Sequence, residues 1–451
     1  MATVTTRARV PGAARLLGLA LILALVASLP AWAVARLPAH LRLVQGEGQQ
    51  FRLPLPVPVT VRSTRGAVVE TGAGDGPLRL ASAVNLSPLR LGQEQLDFRL
   101  FGWIPFRRVT VDVIPPLRLV PGGHSIGVVM RSDGVLVVGF GRLTTADGRT
   151  VQPGRDAGIQ VGDVIVRVGG VPVEDQEHVS RLVQAAGEAG RPVELTVSRQ
   201  GRLLGRTVVP VRDASSGRFR LGLYVQDGAA GVGTLTFYDP DTGRFGALGH
   251  VVASPETGQP IAMREGHILA ASVMSVHEGR RGEPGEKVAT LVGEGRWLGV
   301  IERNTPYGIF GRMQELPGNP LFPEPVPVAV ATQVHEGAAE IVTVLSGQRL
   351  ERFSAEILRV NRSPGAAGKN LVIRITDPRL LARTRGIVQG MSGSPILQDG
   401  RLVGAVTHVF VSDPSRGYGV LLEWMLQEAG LLDGGQQRAG SGGFAPRAAA
   451  A

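Results

Sequence analysis

The stretch from Gly386 to Phe410, GIVQGMSGSPILQDGRLVGAVTHVF, leaves the backbone little choice. Pro395-Ile396-Leu397 and Leu402-Val403-Gly404-Ala405-Val406 are apolar runs separated by Gln398-Asp399-Gly400-Arg401. Asp-Gly supplies the positive φ of a tight turn, so the two runs read as a β-hairpin. Ahead of the hairpin stands Gly390-Met391-Ser392-Gly393-Ser394-Pro395. Glycines close to Ser392 on both sides remove the Cβ atoms that would hinder an approaching carbonyl group. They also leave the amides of Gly390 and Ser392 free to converge on an oxyanion. Taken alone, the stretch also reads as a glycine-rich turn between two core strands, because Gly and Ser are common turn residues.

The other 426 residues (451 − 25) are ample for two or three domains with full cores. With 62 Gly, 31 Pro and many short Val/Leu/Ile runs, the expected fold class is mainly β. The absence of cysteine excludes a disulfide framework and a thiolate metal site. The net charge of +10 comes almost entirely from arginine, since lysine occurs only at Lys287 and Lys369. Those arginines are scattered through strand-like segments, with no basic helix and no aromatic stacking platform, so no nucleic-acid partner is expected.

Arg7, Arg9 and Arg15 precede the apolar run LLGLALILALVASLPAWAVA, from Leu16 to Ala35. A positive flank followed by about 20 apolar residues is long enough to span a bilayer. Ala31-Trp32-Ala33 also fits a signal-peptidase site, so residues 1–36 read as a signal anchor or a signal peptide. Either role exports the remainder of the chain and makes the membrane a partner. Residues 37–115, Pro- and Arg-rich with alternating runs, read as a small β domain or stalk ended by Pro115-Pro116. Residues 433–451 are a Gly/Ala/Gln/Arg-rich tail with the composition of a disordered segment.

Residues 116–212 carry Gly122-Gly123-His124-Ser125-Ile126-Gly127-Val128, then Ala157-Gly158-Ile159-Gln160-Val161-Gly162-Asp163, then a helical stretch near 176–187. That order resembles a PDZ domain. Ser125, Ile126, Gly127 and Val128 would then line a peptide groove facing the helix. Bare backbone amides would hold a peptide's C-terminal carboxylate, and the strand edge would accept a further strand. His178 faces the groove or is an ordinary helix-surface residue.

Residues 213–432 form the last domain. The G-x-S-G-S-P motif, the hairpin and the V-G-A-V strand resemble the nucleophile region of chymotrypsin-like serine peptidases. More narrowly, they resemble the stage IV sporulation protein B peptidases of endospore-forming bacteria. The order of anchor, PDZ-like segment and peptidase-like segment extends that resemblance over nearly the whole chain. It implies a chymotrypsin-like double β-barrel with Ser392 as nucleophile and His250, in Ala247-Leu248-Gly249-His250, as base. It implies Asp377 as the acid, 15 positions before the serine (392 − 377), the one aspartate between His250 and Ser392. An Asp followed by Pro378 also reads as a helix N-cap, in which case Glu294 or Glu302 would orient the histidine. Gly390 and Ser392 would form the oxyanion hole, Thr407 would support the site, and His408 would cover it. Met391 stands where trypsin-like enzymes place the aspartate that pairs with a newly cut N-terminus.

The function that the resemblance implies is that of a cofactor-free, metal-free serine endopeptidase of endospore formation, in the space between the forespore membranes. It would cut itself and then a membrane-associated regulator of a membrane-embedded protease, triggering sigma-factor processing. A catalytically inactive PDZ scaffold at the membrane is the alternative.

Overall fold

The structure, a computed structural model, describes residues 39–53, 59–63, 68–72, 82–293, 296–363, 365, 368–432 and 447–448. The apolar run of residues 16–35, Glu294 and nearly all of the 433–451 tail lie outside them. Among the described residues no helix is long and apolar enough to cross a membrane. The chain divides into two units, Met1–Leu117 with Val330–Gln333, and Arg118–Ala329 with Val334–Ala451.

The first unit is built on a four-stranded and a three-stranded sheet. In Gly92–Leu100 the alternating residues Leu96, Phe98 and Leu100 turn inward and meet Val109, Val111 and Val113 of Ile104–Ile114. This is the period-2 burial of a strand with one wet face.

The second unit is also mainly β. Gly337–Val344, Leu350–Val360, Leu371–Ile375, Asp413–Leu421, Arg401–Phe410 and Pro395–Gln398 close, in that order, into a six-stranded barrel. Asp399 (φ 50°) and Gly400 (φ 73°) make the turn between Pro395–Gln398 and Arg401–Phe410, the expected hairpin. A second ring of six strands, Ser125–Phe140, Met263–His277, Gly299–Thr305, Gly308–Met313, Arg244–Ala247 and Leu223–Tyr238, closes where the last pairs with the first, so the expected second barrel is present within a 13-stranded sheet. Three strands of the ring, Ser125–Phe140, Leu223–Tyr238 and Met263–His277, run 15 or 16 residues each. Two of them continue past the ring into the PDZ region: Ser125–Phe140 pairs with Val164–Val168 through Val135 and Leu136, and Leu223 to Gln226 stay paired with it there.

The PDZ region packs helix Gln176–Glu188 on Val164–Val168 and Val193–Arg199. Asp175 caps the helix by accepting from the His178 amide at 2.7 Å. Val179 and Val183, four apart on one helix face, enter a core with Ile165, Leu195 and Val197.

Candidate active site and peptide groove

The site begins with two loops pressed onto one strand. Within Leu223–Tyr238, the Thr234 amide donates to the Ser392 carbonyl at 2.9 Å, and Thr234 Oγ1 donates to the Gly390 carbonyl at 2.8 Å. Thr236 Oγ1 donates to the Gly393 carbonyl at 2.8 Å. Both threonines are fully buried, so these bonds satisfy polar groups that water cannot reach. Gly390 (φ 88°) and Gly393 (φ 94°) sit in the left-handed region, and a Cβ on Gly393 would run into the Thr234 carbonyl oxygen. Glycine is therefore required on both sides of Ser392 for shape as well as access. The amides of Gly390 and Ser392 make no hydrogen bond to any described residue. The buried Met391 side chain accepts from the Val388 amide through Sδ at 3.5 Å.

The histidine loop follows strand Arg244–Ala247. Leu248 (φ 68°) and Gly249 (φ 71°) are both left-handed and reverse the chain. Such a conformation is costly for leucine, on the order of 1–3 kcal/mol, and sites of this kind cluster at functional loops. The reversal delivers His250 to a cavity of about 650 Å³ whose lining includes Leu248, His250, Gly390, Ser392, Thr407 and His408. His250 Nδ1 lies 2.9 Å from the Val251 carbonyl, which can only accept, so Nδ1 carries the proton and Nε2 the lone pair. Burial pushes His250 below its ordinary pKa of 6.5, partly offset by that bond. The His408 ring stands 5.0 Å from that of His250, and burial, with His250 and Lys369 nearby, lowers it to about 4. Both rings are thus neutral at pH 7. Ser392 Oγ donates to the Thr407 carbonyl at 2.7 Å, and Thr407 Oγ1 donates to the Gly368 carbonyl at 2.7 Å.

Asp377 is placed elsewhere. It is the N-cap of helix Pro378–Thr384, accepting from the Arg379 amide at 2.9 Å, with Pro378 in the first turn. Arg379 Nη2 pairs with Asp377 Oδ2 at 2.9 Å, and the Ser354 amide donates to the same oxygen at 3.2 Å. These bonds hold its carboxyl at about 2, with the Arg379 side chain the largest cause. No Asp377 oxygen bonds His250, so the expected Asp377–His250 contact is replaced by a helix cap and an ion pair. Glu302 faces Arg312 at 3.3 Å instead of the histidine.

The peptide groove also moves. Ser125, Ile126, Gly127 and Val128 pair with Thr234, Gly233, Val232 and Gly231 on one edge. Ile126, Gly127 and Val128 pair with Ala270, Leu269 and Ile268 on the other. With both edges filled, that segment is the middle of a sheet and cannot accept a peptide strand. The open groove lies against the same helix but beside Leu221-Gly222-Leu223-Tyr224-Val225, a cavity of about 600 Å³ whose lining includes Val179, Ser180 and Val183. A glycine-bearing apolar run leading into a strand was the available signal, and it occurs at both places. Only the long-range pairing separates them. Thr234, Thr236 and the buried Lys287 were not singled out from sequence, because nothing local marks them.

Comparison with known proteins accords with a peptidase domain joined to a PDZ domain. Residues 217–426 match the SpoIVB peptidase S55 family and residues 147–199 match a PDZ domain. The family match covers the peptidase domain, 210 of the 451 residues (426 − 217 + 1). A "Putative zinc metalloprotease" of Treponema pallidum (strain Nichols) is 28% identical over 124 residues, which span 27% of this chain and 27% of the relative's length. Among the described residues no group of three or more His, Asp or Glu is arranged to hold a metal ion. Among solved structures, the Rv3671c protease from M. tuberculosis in its active form aligns at 16% identity and TM-score 0.25, covering 46% of this chain and 76% of that one. Its inactive form aligns at 16% identity and TM-score 0.25, covering 45% and 85%. Likeness at that level carries no weight for function.

Proposed function

We propose that the peptidase is of the serine type, with Ser392 as nucleophile and His250 as base. The observation that carries this is the shared cavity: Ser392 and His250 line it together, beside two amides with no other partner among the described residues. Ser392 Oγ leaves the Thr407 carbonyl, passes its proton to His250 Nε2 and attacks the scissile carbonyl carbon. The oxyanion is received by the amides of Gly390 and Ser392. His250 then protonates the departing amine, and water hydrolyses the acyl-enzyme by the same steps in reverse. The Val251 carbonyl, in place of a carboxylate, holds the histidine tautomer. Thr407 positions the resting hydroxyl, and His408 covers the base.

The biological setting we propose is that of the family. The enzyme is exported, held at the membrane by the segment from Leu16 to Ala35 or released from it, and works between the forespore membranes. It cuts itself in residues 37–115 and then cleaves a regulator of a membrane-embedded protease, with peptide capture at the PDZ groove. Proteolysis of a denatured protein substrate, and self-cutting compared by N-terminal sequencing, test this. Ser392→Ala should abolish both, whereas Ser394→Ala, whose hydroxyl is fully buried, should keep the chemistry. Identical fragments from wild type and Ser392→Ala would leave the inactive-scaffold reading standing.

A further inference from the structure

Strand Leu223–Tyr238 lines both cavities in turn. Leu223, Tyr224 and Val225 belong to the groove, and Gln226, Ala229, Ala230, Gly231 and Val232 to the site of Ser392. One of its edges is bound to Ser125–Phe140 from Leu223 to Thr234. Among the described residues no strand pairs with the other edge between Leu223 and Gly233, and at Thr234 that strand meets the nucleophile loop. Gln226, the first residue of the strand on the lining of the second cavity, has a buried Oε1 with no hydrogen-bond partner among the described residues. A buried amide oxygen of this kind is costly to leave unmet.

We infer that the groove and the active site form one substrate track, in which a polypeptide's own C-terminus is held in the groove while Ser392 cuts the same chain upstream. The track rests on the assignment of Ser392 as nucleophile. A peptide added to an open edge next to a helix runs antiparallel to the edge strand, its carboxylate at the glycine-bearing loop that starts the strand. Here that loop is Leu221-Gly222, with Gly222 at φ 66°. Arg218 and Arg220 line the same cavity and are exposed. With Arg142 they make three arginines against two carboxylates on the lining, the exposed Glu177 and the buried Asp213, whose charge is held by Ser215 Oγ at 2.6 Å and Ser216 Oγ at 2.7 Å. The groove thus favours an anionic chain end. From Leu223 to Gly233 is ten steps (233 − 223). At about 3.3 Å per extended residue, and with the strand's two irregularities, the C-terminal product should be roughly 8–12 residues long. The substrate class is therefore a protein with an accessible, unstructured C-terminal tail ending in a free carboxylate. The Gln226 amide oxygen accepts from the passing main chain.

The test uses full-length protein and synthetic 24-residue peptides with an apolar last residue, as free acids and as C-terminal amides. Products are sized by mass spectrometry, and a fluorophosphonate probe reads the serine separately. Cuts should fall roughly 8–12 residues from the free carboxylate and shift with the end when five residues are appended. Amidation should raise KM at least tenfold with kcat within about threefold. Ser180→Trp, which fills the groove from an exposed helix position, should do the same and leave fluorophosphonate labelling unchanged. Cuts fixed by internal sequence, or equal KM for acid and amide, would overturn the track while leaving the serine assignment intact. Failure of the probe to label wild type would instead overturn the serine assignment. Binding of the free acid but not the amide to Ser392→Ala would then show whether the groove still selects a carboxylate.

Discussion

At the scale of single residues, two ionisable groups are set by burial and bonding to opposite effect. Lys287 is 5% exposed, donates from Nζ to Thr343 Oγ1 at 2.8 Å, and contacts no carboxylate among the described residues. Burial lowers it to about 7 from an ordinary 10.5. Between those values the unfolded chain binds a proton that the folded one does not, so stability rises with pH across that window. Lys287→Met should remove the slope and raise the denaturation midpoint most at or below pH 7, as urea titrations at pH 6.5 and 9.5 would read. Asp377 runs the other way. Its folded value of about 2 lies below the ordinary 3.8, so its contribution is full above about pH 4 and is lost as pH falls through 2. Asp377→Ala should cost about 0.5–2 kcal/mol of stability at pH 7, as the loss of an N-cap does. Asp377→Asn should keep kcat within a few-fold, because its carboxylate is bonded away from His250. A ten-thousand-fold loss would return Asp377 to the triad. His250, lowered by burial, stays in its basic form to more acid pH than free histidine, so the acid limb of kcat/KM should lie below 6.5.

At the scale of elements, the shape of the Ser392 loop and its hairpin was legible because its signal is local. Glycines flank Ser392, Asp399-Gly400 turns the hairpin, and apolar runs supply the strands. Asp377 was not, since Asp-Pro is at once the sequence-near acid that the resemblance expects and an ordinary helix start. The same four residues, Thr376 to Arg379, carry both messages, and only the position of Arg379 and Ser354 decides. Likewise Ser125–Val128 has the composition of a groove strand, but which of its edges is covered depends on Ala230–Thr234 and Ile268–Ala270, both more than 100 residues away. The loop's dependence on strand Leu223–Tyr238 is itself testable. Thr234→Val removes the Gly390 carbonyl's donor, a loss of about 1 kcal/mol, and should slow fluorophosphonate labelling roughly five- to tenfold. Gly393→Ala places a methyl against the Thr234 carbonyl and should slow it further, with far-ultraviolet circular dichroism unchanged.

At the scale of the whole molecule, the mainly β class followed from turn-punctuated apolar runs, and the order of PDZ and peptidase domains from the resemblance carried by their motifs. The expected second barrel is present as a six-stranded ring, but nothing local in the sequence marks that two of its strands, Ser125–Phe140 and Leu223–Tyr238, run on into the PDZ region. One strand of that shared sheet, Leu223–Tyr238, lines both the cavity beside the PDZ helix and the cavity of Ser392. The central claim is that Ser392, activated by His250, performs the cleavage. Full-length protein treated with a fluorophosphonate probe, digested and mapped by mass spectrometry tests it most directly. One adduct is expected, on Ser392, lost in His250→Ala and retained in Asp377→Asn. An adduct on Ser394, or none on a folded protein, would contradict it.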